Sequence, residues 1–145
     1  RDQQALSAGA RRGHDVFFFR SNCAACHRPP LFTDHEFHNL GVGVDQSDYD
    51  LGRFAITQAE THQAAFKTPS LRDVAKTGPY MHDGRFEKLE KVIEFYAEGG
   101  IMNTQLDILM NNIPLSDQEQ ADLVTFLKEG LSSDDYPRVE RPELP

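Results

Sequence analysis

Cysteine is nearly missing from this chain, with two in 145 residues. A thiolate zinc site wants four ligands, so the two could serve one only if His35 and His38 completed it. Long hydrophobic runs are missing as well. The longest is Val16 to Phe19, against the ~20 apolar residues needed to cross a bilayer, so no membrane span is expected. Arg1 opens the chain without a signal pattern, which reads as a processed or truncated product. Positive charge is short, 15 Lys and Arg against 23 Asp and Glu for a net −8. That argues against nucleic acid as a partner and leaves electrostatic docking of a basic protein open. The 39% hydrophobic content suffices for one domain with its own core.

The two cysteines stand in Cys23-Ala24-Ala25-Cys26-His27, the spacing of covalent c-type haem attachment. The sulfurs add to the porphyrin vinyl groups, and the turn between them leaves His27 beneath the ring as proximal iron ligand. Pro29 and Pro30 follow, and a carbonyl of one of them is expected to accept from His27 Nδ1 and fix its tautomer. A zinc site with His35 and His38 and a thioredoxin-like pair are the other readings. The second would follow a strand, whereas the residues before Cys23 read as helix. One haem c is expected, and its attachment outside the cytoplasm places the protein in the periplasm, after loss of an export signal.

Leu6, Ala10, Gly13 and Val16/Phe17 recur at helical spacing and form an amphipathic helix leading to the motif. Gly13 suits close approach of another helix. Ser116 with Glu119 is a capping box, and Leu123, Val124, Leu127 and Leu131 form the apolar stripe of a C-terminal helix that pairs with the first. The class read from these elements is all-α, a cytochrome c-like haem domain with long loops. Residues 1–131 make the domain and 132–145, with Pro137, Pro142 and Pro145, an extended arm. Gly41 to Arg53 reads as a surface loop.

The sixth iron position has three kinds of candidate. Thioether would come from Met81, Met102 or Met110, imidazole from His35, His38, His62 or His82, and phenolate from Tyr96. Phe86, Leu89, Ile93 and Tyr96 fall on one helical face, with Gly99-Gly100 as the stop. On that face Tyr96 is either an iron ligand or a core tyrosine bonded to a backbone carbonyl. Arg72 suits a haem propionate, although a surface ion pair would use it equally well.

Phe66-Lys67-Thr68-Pro69-Ser70-Leu71-Arg72-Asp73-Val74-Ala75, Thr77-Gly78-Pro79-Tyr80-Met81-His82-Asp83-Gly84 and Leu89 through Tyr96 with Gly99-Gly100 together resemble the C-terminal haem domain of the bacterial dihaem cytochrome c peroxidase family, which includes the MauG-type enzymes. Pro30-Leu31-Phe32-Thr33-Asp34, Phe37-His38-Asn39, Gly41-Val42 and Leu51-Gly52-Arg53-Phe54 extend the resemblance over nearly the whole chain.

The resemblance implies half of an oxidoreductase that uses hydrogen peroxide. A second haem domain, on this or another chain, would react with peroxide. A small cytochrome c or copper protein would donate electrons, or a protein substrate would supply them. It implies Tyr96 as axial ligand, at the place where the peroxidases carry methionine, with Met81 beside the site. It also implies a calcium half-site at Thr77 and Pro79, and it leaves His82 near the haem or the domain interface, the one candidate for a catalytic role. The family's inter-haem aromatic relay has no tryptophan here to fill it, since the chain contains none. A monohaem electron carrier with His/Met ligation is the alternative.

Overall fold

The computed structural model describes residues 5–133; most of the expected arm, 134–145, lies outside them. The N-terminal helix, α1 (Ala8–Asp15), is capped by the Ser7 hydroxyl, which accepts from the Ala10 N–H at 3.2 Å. It runs straight into a wider π turn, Val16–Arg20. This one-residue widening, a recurrent feature near functional sites, carries the buried Phe17 toward the haem motif, whose first residues form the single turn α2 (Cys23–Cys26).

At the other end α5 (Asp117–Glu129) starts with the expected capping box, Ser116 and Glu119 each bonding the other's backbone N–H. Helices α1 and α5 pack against each other. Gly13 sits so close to the Asp122 carbonyl and the Phe126 side chain that a Cβ would overlap both. One residue earlier, Arg12 grips Asp122 with two nitrogens at 2.6 and 2.7 Å. The Asp122 carboxylate is buried and also accepts from Gln118; the arginine's hydrogen bond holds its pKa below the usual carboxylate range. A third helix, α4 (Leu89–Glu98), lays Leu89 and Ile93 on the same core and ends at Gly99, whose φ of 89° closes the last turn without the steric cost a side chain would add.

The all-α reading holds for this layer, and one element adds to it. Between the haem motif and α4, β1 (Phe37–Asn39) and β2 (Ala65–Lys67) form a short antiparallel ribbon with His38 opposite Phe66. A single turn, α3 (Phe54–Thr57), lies between them. Three-residue strands carry too little alternation to stand out in a sequence. The segment read as a surface loop from Gly41 has no regular structure but begins inside: Gly41, Val42 and Gly43 are buried before the chain emerges at Asp45. Past α5, Leu131 is buried and its carbonyl accepts from the Asp73 N–H, while the Asp73 carboxylate takes the Ser133 N–H at 2.7 Å.

Candidate functional site

A cavity of about 440 Å³ lies between the helical layer and the ribbon, within the 300–1,000 Å³ range of ligand and cofactor pockets. Phe17, Leu89, Ile93, Leu123 and Leu127 form its helical wall; Leu40, Val42, Ala64 and Phe66 face them from the ribbon side. Cys23, Cys26 and His27 line it from α2, Tyr96 from the last turn of α4, and Met81, His82, Thr77 and Pro79 from the loop between.

Each of these side chains has a physical setting. His27 Nδ1 bonds the Phe32 carbonyl at 2.8 Å, so the acceptor is not Pro29 or Pro30 as expected from adjacency. The Pro30 carbonyl instead takes Arg72, whose Nε and an Nη reach it at 2.9 and 2.6 Å while the guanidinium covers the Phe32 ring. Arg72 therefore braces the loop that orients His27, and it is not among the residues lining the cavity. Burial lowers the His27 pKa against the opposing pull of backbone carbonyls. The shift favours the neutral ring, the form that binds metal. Burial also pushes up both thiols, Cys26 to about 11.

Tyr96 is half-buried on α4 beside the buried Phe95. Burial is the largest cause raising its pKa, and the two thiols add to it; among the described residues its hydroxyl makes no hydrogen bond. A core tyrosine would have a carbonyl partner, as Tyr80 does at Val74. A phenol without a hydrogen-bond partner, lining the same apolar cavity as a Cys-x-x-Cys-His turn, is a donor set that suits a covalently held haem, so the residues fit that group.

The remaining candidates divide. Met81 and Met110 line the cavity and Met102 does not; it is 83% exposed and borders a small polar cleft elsewhere. His38 and His82 line it, while His35 and His62 are turned to Lys67 and Thr57. His82 lies flat on Phe66, ring centres 3.5 Å apart. Gly100 packs on the Leu40 carbonyl and Met110, two cavity residues. Thr77 donates to the Val74 carbonyl, and Pro79 follows a cis peptide bond. Among the described residues, the side chains close enough to share a metal ion are Cys26, Asp34 and His38, without His35.

Sequence reasoning missed the pairing of His38 with Asp34 and Asp107. His38 Nδ1 meets Asp107 at 2.6 Å and Nε2 meets Asp34 at 3.0 Å. The sequence signal was His38 four residues after Asp34; the Asp107 contact spans 69 residues and leaves none.

No family model matches the chain. It is 42% identical over 127 residues to the methylamine utilization protein MauG of Methylorubrum extorquens, covering 88% of this chain and 36% of that protein. To the cytochrome-c peroxidase IdrP1 of Denitromonas iodatirespirans it is 33% identical, over 99% of this chain and 46% of that one. The crystal structure of a MauG-like protein associated with microbial copper homeostasis superposes with a TM-score of 0.81 at 33% identity, covering 90% of this chain and 45% of the other. The chain thus spans less than half the length of these relatives. No helix among the described residues is long and apolar enough to cross a membrane.

Proposed function

We propose that this chain, related by sequence and fold to the MauG proteins and bacterial cytochrome c peroxidases, is the electron-handling haem c domain of a periplasmic, peroxide-using oxidoreductase. The observation that carries the reading is one apolar cavity lined by Cys23, Cys26 and His27 and by Tyr96, whose hydroxyl is unbonded. Bound haem would supply one-electron chemistry at iron. Cys23 and Cys26 would hold it through thioethers, and His27 would offer Nε2 to the iron while the Phe32 carbonyl, in a loop steadied by Arg72, keeps the proton on Nδ1. Tyr96 would supply a phenolate oxygen, its proton passing to solvent, a donor that favours ferric over ferrous iron. The apolar walls exclude water from both ligands.

A second haem domain, outside these residues, reduces hydrogen peroxide and exchanges electrons with this one. A small cytochrome c or copper protein, or a protein substrate, supplies them. Thr77 and Pro79 contribute to a calcium site completed by that domain, since calcium accepts a flexible set of oxygen ligands. His82, stacked on Phe66 at the cavity wall, lies near the haem or the interface with that domain. The rival reading, a monohaem carrier, draws on Met81 in the same cavity.

The test is Tyr96→Phe in the haem-loaded chain, followed by absorption and by stoichiometric hydrogen peroxide. A changed axial-ligand spectrum in the variant, with little peroxide reaction in the parent, is expected. An unchanged spectrum overturns tyrosine ligation and favours methionine. Rapid peroxide turnover by the parent chain overturns its role as the electron-handling half.

A further inference from the structure

Two carboxylates hold one imidazole at the cavity wall, and nothing in the haem-binding role requires them. His38 is half-buried on β1, with Asp107 on Nδ1 at 2.6 Å and Asp34 on Nε2 at 3.0 Å. Both ring nitrogens are engaged, which suits an imidazolium donating twice between two carboxylates. Asp107 is pinned in turn by the Leu109 N–H and Asp34 by the Glu36 N–H. His38 and Asp107 line the cavity, and the donor atoms of Cys26, Asp34 and His38 lie within 4.8 Å of one another. A proton gained or lost here is therefore adjacent to a sulfur that would carry the haem, beside apolar walls where charge interactions are screened weakly.

We propose that the Asp34–His38–Asp107 cluster is a proton-coupling site: it takes up one proton from solvent when the haem gains one electron from a protein donor, and releases it on reoxidation. The balance is one electron to ferric iron and one proton to His38, so the added negative charge is offset locally. The carboxylate hydrogen bonds outweigh the burial that opposes them and raise the His38 pKa above the ordinary histidine value. The other charged groups around the cluster are Arg28, near Cys26, Glu36 beside Asp34, Lys67 with His35 on the ribbon, and His27, which would be tied to iron. Cys26 ceases to titrate once it is a thioether. His38 acts through its charge and is a positioning residue for the proton.

The proposal rests on the haem reading, and the experiment separates the two. The haem-loaded chain is titrated at an electrode from pH 5 to 9, alongside His38→Gln and Asp107→Asn, and the His38 ring is followed by NMR in both oxidation states. Expected is a tenfold change in the ferric–ferrous equilibrium per pH unit over part of this range, about 59 mV per unit for one electron. That slope should flatten in His38→Gln and shift to lower pH in Asp107→Asn. A flat wild-type slope, or an NMR titration of His38 identical in the two oxidation states, overturns the cluster's role and leaves the haem reading standing. If His38→Gln fails to fold, the wild-type NMR comparison decides alone. A chain that takes up no haem at Cys23 and Cys26 overturns both.

Discussion

On one side of the cavity Phe17, Ile93, Leu123 and Phe126 bury one another between three helices; on the other, Asn39, Thr33 and His38 hold short strands and loops through hydrogen bonds. Asn39, itself buried, donates to the Gln63 carbonyl and to Asn103 and accepts from the Gly41 N–H, while Thr33 donates to the Thr68 carbonyl at 2.7 Å. The helical wall is non-directional, so many sequences of similar volume would build it. The ribbon wall is directional, and each bond there depends on a particular partner. A c-type haem needs both. An apolar shelf holds a ring of large area, and a rigid polar wall sets the groups that tune it.

The sharpest way to break the comparison is Phe17→Ala. Truncating a side chain that is 1% exposed should cost about 3–5 kcal/mol, read by denaturant unfolding, with the slope against denaturant unchanged. Gly13→Val follows, expected to cost about 1–3 kcal/mol as overpacking against Asp122, with α1 and α5 losing amide protection together. On the ribbon wall Asn39→Ala should cost about 1–3 kcal/mol, because it strands buried partners. Its distinguishing mark is local: faster hydrogen exchange at Gly41 and Ile101, with α1 and α5 still protected. Equal loss of protection in both walls would show that the two are one cooperative unit. Ser116→Ala is the smallest of the four, about 1 kcal/mol from a lost cap, confined to the first turn of α5.

Acid and base should also separate the walls. His38 has a raised pKa, because carboxylate hydrogen bonds exceed the burial that works against them. Its contribution is complete below about 6.5, the ordinary histidine value, and fades as pH rises through the folded value. Asp34 is lowered: burial opposes this, but the Glu36 N–H, His38 and Thr68 prevail. Its contribution is complete above about 3.9 and is lost as pH falls through the folded value. Exchange protection of the haem-free ribbon wall should therefore peak between roughly pH 4 and 6.5. Protection of the core amides of α4, to which none of the hydrogen bonds described for this cluster runs, should change far less over that window.

How much of this was readable beforehand follows the same division. The Cys23–His27 motif, the Ser116–Glu119 cap, the close approach at Gly13 and the stop at Gly99 are local patterns, and the structure contains each of them. Tyr96 was legible as a position on a helix face; its unbonded hydroxyl was not, because that depends on what the opposite wall leaves open. The acceptor for His27 was misplaced by two residues beyond Pro30, since a backbone carbonyl's direction follows from the loop path and not from adjacency. His38 was weighed as one ligand among four histidines; its carboxylate partners come together only when residues 34, 38 and 107 converge in the fold.

The contact of Arg12 with Asp122 joins positions 110 residues apart, so the pairing of α1 with α5 closes a loop of nearly the whole described chain and costs the entropy of that closure. Long-range pairings of this kind slow folding. A circular permutant that joins the two ends and brings α1 next to α5 in sequence should therefore fold faster than the parent chain.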